Sequence, residues 1–258
     1  MKRSTRIPIY TTAGTLIFFY LPMLVMLVNS FNKSKYGGGW KGFTLDWYTQ
    51  LFSDANIWQA FCNTMVIAVS ATIVSTILGT CAAFALHRYK DKLQIFHYMM
   101  IYSPLIVPDI LMGMSLLLLF ASIGMKLGLF TIILAHISFC LSYVAMVVLG
   151  RLQDFDFAIV EAAYDLGASR FQTYSKVVVP VLAPGIIAGA LFAFTLSIDD
   201  FVITFFVAGP GSTTLPIYIY SALKHGSPAI INALSVVFLA MTFALVYISQ
   251  RLLEDKQK

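Results

Sequence analysis

Six stretches of this 258-residue chain are long and apolar enough to cross a bilayer, at about 7–30, 60–86, 96–121, 129–150, 181–207 and 229–250. A helical span needs about 20 mostly apolar residues, and none of the six alternates as barrel strands do. The expected fold is therefore an all-α membrane protein with six transmembrane helices, one domain over 1–258. With 59% apolar and 11% charged residues, the chain has more apolar surface than one soluble core hides. That excludes a soluble enzyme, a disordered chain and a disulfide scaffold. Cys62, Cys81 and Cys140 are an odd set inside apolar runs and read as membrane-packing residues.

Orientation follows from where the basic residues lie. The first stretch, after Lys2, Arg3 and Arg6, is too long for a cleavable signal and reads as a retained signal-anchor. Six spans put both termini on one side. That side carries Lys2, Arg3, Arg6, Arg88, Lys90, Lys92, Arg151, Arg170, Lys176, Arg251, Lys256 and Lys258; the other has only Lys33, Lys35, Lys41, Lys126 and Lys224. The positive-inside rule then places both termini in the cytoplasm. The net charge of +5 describes orientation, and no nucleic-acid partner is expected. Trp40, Trp47 and Trp58 fall in the outer segment 31–59, as interface anchors do.

The inner loop 151–180 is amphipathic. Asp154 and Asp156 favour a helix start, Ala158 to Leu166 is a helix-forming run, and Gly167 suits a left-handed end. Ser169 can cap a second short helix carrying Phe171, Tyr174 and Val177, with Pro180 as its limit. Two readings follow: a helical pair lying on the inner leaflet, or an elbow that meets a partner protein.

Three acidic residues fall inside the expected spans, Asp109, Asp199 and Asp200, and no Lys or Arg does. An Asp near the bilayer centre costs about 2.5–3.5 kcal/mol on insertion scales, so it needs a cavity and a partner. Protonation, a basic group on another subunit or a cationic substrate would each compensate. Asp109 follows Pro108 and can also cap a restarted helix; Asp199 and Asp200, about 100° apart on a helix, face one cavity only obliquely. The pattern favours Asp109 and Asp199 over Asp200 as pathway residues. His87, His97, His136 and His225 are scattered without metal-ligand spacing, and no phosphate-cradling or nucleophile motif is present.

Glu161-Ala162-Ala163, then Gly167, then Val177 with Pro180 closing, resembles the EAA signature of ABC importer permeases. Val179 stands where that pattern usually has Leu, which keeps an apolar contact. The runs LVNSFNKS at 27–34, WKGFTLDWYTQLF at 40–52, SPLIVPDILMGMSLLLLF at 103–120 and FTLSIDDFVITFFVAGPG at 194–211 narrow the resemblance to spermidine/putrescine permeases. It implies the MetI-like permease fold and a coupling loop in which Glu161, Ala162, Ala163, Asp165 and Gly167 meet the ATPase. It also implies a paralogous permease subunit, an ATPase homodimer that binds ATP and Mg, and a periplasmic polyamine-binding protein. This chain would then be a transport subunit, not an enzyme. For a polyamine, Asp109, Asp199 and Asp200 would pair with ammonium groups, while Tyr143 and Phe201, with Phe194, Phe205, Phe206 and Tyr218, would offer aromatic walls. The alternatives are a permease for another small organic cation and a stand-alone ion or proton-coupled carrier.

Overall fold

The structure is a computed structural model that describes residues 6–88, 93–225 and 228–255, with side chains over 8–88, 93–225 and 228–243. Lys2, Arg3, Lys90, Lys92, Lys256 and Lys258 of the charge reading lie outside the described residues. The helices in chain order are α1 Arg6–Ser30, α2 Asp46–Ser53, α3 Ala55–Arg88, α4 Gln94–Ile106, α5 Asp109–Ser122 and α6 Leu129–Gln153. They continue as α7 Ala158–Asp165, α8 Arg170–Thr173, α9 Val179–Asp199, α10 Val202–Val207, α11 Leu215–Lys224 and α12 Pro228–Asp255. Among the described residues the only strand-like feature is one bridge between Asn32 and Phe43.

All six apolar stretches are helical, but two are not continuous. The third breaks between α4 and α5 with a bend of 109°. Pro108 causes this: it lacks an N–H and drives Val107 to an extended ψ of 130°, so the helix stops and restarts at Asp109. The fifth stops at Asp199, where Asp200 adopts φ −63°, ψ 120° before α10 begins. No proline is involved. The Asp200 carboxylate accepts the Ile203 and Thr204 N–H groups at 3.3 and 2.8 Å and so opens a new helix. Among the described residues four helical runs are long and apolar enough to span a membrane and the bent pair makes a fifth; α12 is apolar over Pro228–Phe243, the part of it with described side chains.

Pro180 does not end the second short helix of the inner loop. A π-helical turn, Tyr174–Val178, joins α8 to α9, and Arg170–Asp199 runs unbroken. In that turn the Val179 N–H bonds to Tyr174 O, five residues back, and Pro180 follows in the first turn of α9, where its missing N–H is tolerated.

The chain packs as two compact units. In the first, Met1–Trp58 with Tyr218–Lys258, α12 packs on α1 and α2. α1 is exposed nearly end to end, as a lipid-facing or partner-facing helix is. The loop after it is ordered by Asn32, whose Oδ1 accepts the Ser34 and Lys41 N–H groups and whose carbonyl accepts Trp47 Nε1–H at 2.8 Å. Trp47 is thereby a loop anchor within a helix that the sequence reading did not expect. In the same unit the Tyr218 hydroxyl donates to Asp54 at 3.1 Å; burial and that carboxylate push the phenol up to about 12.

The second unit, Gln59–Ile217, is built around α6. Ile132, Ala135, Cys140, Val144, Val148 and Leu152 are buried along it, and α9 packs beside it. The packing reading of cysteine holds for Cys140; Cys62 and Cys81 are exposed. Gly79 lets α3 approach α6: a Cβ there would lie 2.8 Å from both Leu141 O and Val144 Cβ. Gly79→Leu is expected to force the helices apart at a cost of about 1–3 kcal/mol or more, read as a lower unfolding midpoint in a denaturant titration. An unchanged midpoint would remove the close crossing as a stabilising contact.

Candidate functional site

The two helix breaks lie at one place in the second unit. A cavity of about 300 Å³ is lined by Pro104 of α4, Asp109 of α5, Phe139 and Tyr143 of α6, Leu196 and Asp199 of α9, and Asp200 to Ile203 across the second break. Interrupted helices are tolerated at membrane depth only where the freed backbone lines a cavity or is buried in protein. Gly113 allows α5 to meet α10 there, because a Cβ would sit 2.7 Å from Phe206 Cδ2. All five residues read as substrate-binding candidates, Asp109, Asp199, Asp200, Phe201 and Tyr143, share this wall. Phe194, Phe205, Phe206 and Tyr218 are not among its lining residues.

The three carboxylates differ. Asp109 is exposed at the first position of α5, after the N-cap residue Pro108, and its carboxylate makes no hydrogen bond among the described residues, so it does not cap the restarted helix. Asp199 is exposed at the last position of α9, beside that helix's unpaired carbonyls. Both the charge and the negative end of the helix dipole there favour a cation. Asp200 also lines the wall but is tied to neighbouring helices: Thr204 Oγ1 donates to its Oδ2 at 2.7 Å, and His136 Nε2 lies 3.3 Å from the same oxygen. Only 9% of its side chain is exposed. Tyr143 is held edge-on by Phe192, with ring centroids 5.3 Å apart, and Phe201 packs on Phe205.

The elbow has the capped geometry that its sequence suggests. Asp156 accepts the Ala158 N–H at 2.9 Å, Gly167 takes φ +80°, and Ser169 and Gln172 form a reciprocal capping box. Phe157 stacks on His87 of α3 at 5.0 Å, and Tyr174 meets Phe84 edge-on. The elbow is thus seated on the end of α3. Glu161, Ala162, Asp165 and Gly167 face outward, whereas Ala163 is buried inside the chain.

Residues 75–258 match the family described as the binding-protein-dependent transport system inner membrane component. The chain is 39% identical over 241 residues to the spermidine/putrescine transport system permease protein PotC of Escherichia coli K12, covering 93% of this chain and 91% of that one. It is 40% identical over 248 residues to the putrescine transport system permease protein PotI of the same organism, covering 93% and 88%. The chain belongs to this permease family. Its fold is shared with a bacterial ABC transporter involved in import of the acidic polysaccharide alginate, at TM-score 0.74, 18% identity and 96% and 98% coverage. The inward-facing MetNI methionine ABC transporter matches at TM-score 0.61, 16% identity and 81% and 97% coverage. The protein is thus a multi-pass inner-membrane permease with the MetI-like fold, a transport subunit of an ABC importer.

Three residues, His136, Phe139 and Leu166, are not among those the sequence singles out for the site or the elbow surface. Spacing along the chain does not reveal His136, because its partners, Ser197 and Thr204, lie more than 60 residues away. Phe139 lines the cavity one helical turn before Tyr143, a spacing that could have found it. Leu166 and Phe171 are 89% and 81% exposed at the elbow, the clearest apolar contact surface there. Among the described residues no three His, Cys, Asp or Glu side chains gather as a metal site.

Proposed function

We propose that this permease passes polyamines, spermidine or putrescine, through the cavity at its two helix breaks. One observation carries the reading: three carboxylates and three aromatic rings line a space with no Lys or Arg on its wall. Ammonium groups would pair with Asp109 and Asp199, while the methylene spacers lie against Tyr143, Phe139 and Phe201. The names of relatives at 39% and 40% identity support the same cargo class.

The elbow is the ATPase contact in this reading. Glu161 and Asp165 would supply polar contacts, and Leu166 and Phe171 apolar ones. Ala162 allows close approach, Gly167 sets the turn, and Ala163 holds the elbow to its own chain. ATP and Mg bind the partner ATPase, since this sequence has no phosphate-cradling run. A paralogous permease subunit completes the path, and a periplasmic binding protein delivers the polyamine. Both termini face the cytoplasm, and residues 1–258 act as one permease domain. Closure of the ATPase dimer would move the elbow and turn the cavity from one side of the membrane to the other.

Uptake of labelled spermidine, in cells lacking their own polyamine importers and supplied with the full system, tests this. Unlabelled spermidine and putrescine are expected to compete, and an uncharged diol of equal length is not. Absence of uptake, or equal competition by the diol, would reject the reading. Competition by an unrelated monoamine would favour a permease for another small organic cation.

A further inference from the structure

Directly behind Asp200 lies a buried imidazole. His136 is 1% exposed in α6, and both of its ring nitrogens meet polar groups. Nδ1 is 2.7 Å from Ser197 Oγ of α9; Nε2 is 2.9 Å from Thr204 Oγ1 of α10 and 3.3 Å from Asp200 Oδ2. Counting protons fixes the arrangement. The single hydroxyl hydrogen of Thr204 goes to Asp200 Oδ2 at 2.7 Å, so toward His136 the same oxygen can only accept. Nε2 therefore carries a hydrogen, shared between Thr204 and Asp200. In the neutral ring Nδ1 is then the acceptor, and Ser197 donates to it.

Asp200 is almost fully occupied by this network. Its Oδ2 faces three donors, the Thr204 N–H and hydroxyl and His136 Nε2–H, and its Oδ1 takes the Ile203 N–H. Little lone-pair capacity remains for a cation from the cavity. Asp109 and Asp199, on the same wall, make no ion pair or bond to another side chain among the described residues.

We propose that His136 is a positioning residue of the transport path: it clamps Asp200 to α6, withdraws that carboxylate from the cargo, and leaves Asp109 and Asp199 as a two-carboxylate site suited to a diammonium. This deepens the polyamine reading and rests on it. Without the imidazole, Asp200 keeps its Thr204 and Ile203 donors but loses the one from α6, so more of its negative charge is left uncompensated on the cavity wall. A triamine gains more from that charge than a diamine does.

The test uses the full importer in proteoliposomes and compares kcat/KM for labelled spermidine and putrescine. His136→Leu is expected to raise the spermidine-to-putrescine ratio by about fivefold, the size of one partly screened charge pair. His136→Gln, whose amide can donate to the Thr204–Asp200 pair, is expected to hold the ratio within about twofold of the parent chain. Asp200→Asn keeps the shape of the clamp and is expected to leave the ratio unchanged whatever it does to the absolute rate. An unchanged ratio in His136→Leu, with both rates falling together, overturns the proposal. So does a shifted ratio in Asp200→Asn.

Nitrogen NMR spectra of the histidine-labelled parent, with the His136 signal assigned by its loss in His136→Gln, judge the clamp without cargo or the leucine variant. A hydrogen on Nε2 that Asp200→Asn perturbs is expected; a ring with its hydrogen on Nδ1 alone, or no response, overturns the clamp. Because these spectra involve no cargo, a parent importer that carries neither polyamine would reject the functional reading while the clamp is still decided.

Discussion

Asp199→Asn is expected to lower polyamine uptake by roughly ten- to a hundredfold, and Asp109→Asn by a similar factor, with assembly on the ATPase intact. A hydrogen bond to a charged partner contributes about 1.5–3 kcal/mol, and each 1.4 kcal/mol is tenfold. The substitution keeps the shape of the side chain and removes only its charge. Neither carboxylate bonds another side chain among the described residues, and both line the cavity. Uptake and co-purification with the ATPase subunit should be measured on the same variants. Unchanged uptake would remove both residues from the path, and loss of assembly would return them to a structural role.

Gly167→Val is expected to abolish coupled uptake, leaving ATP hydrolysis running without transport and membrane insertion normal. Gly167 has φ +80°, and a Cβ placed there meets nothing within 4 Å. The effect therefore comes from the backbone and not from a clash. A left-handed conformation costs an ordinary residue about 1–2 kcal/mol, and a β-branched one more, so valine would refold the turn between α7 and α8. Asn tolerates that region. Gly167→Asn is accordingly expected to retain most of the uptake, and the pair separates conformation from bulk. If Gly167→Val transports normally, the elbow does not couple the two activities.

The apolar runs, the three acids inside them and the elbow caps can all be read in the sequence because each is a local signal. Hydropathy sets the spans, a charge inside a span stands out, and Ser169 with Gln172 or Gly167 alone carries a cap. Of the two interruptions, the restart after Pro108 is legible beside Asp109, although hydropathy runs through it and Pro104, four residues earlier, sits inside α4 without ending it. At Asp200 the bonds to the Ile203 and Thr204 N–H groups are local, but the contact with His136 joins residues that no window along the chain contains. The π turn before Pro180 was likewise invisible, since the sequence shows the proline but not the wider hydrogen-bond loop that accommodates it.

That turn has a mechanical consequence. Because it keeps Arg170–Asp199 unbroken, the elbow and a cavity carboxylate are the two ends of a single lever, about 45 Å long at 1.5 Å per residue. Asp109 sits on a different helix, and Asp200, just beyond the lever's tip, is tied to α6. A tilt applied at Arg170 would therefore change the gap between Asp199 and Asp109. The spacing of two charges, which decides how firmly a diammonium is gripped, becomes the quantity that a motion at the inner surface adjusts.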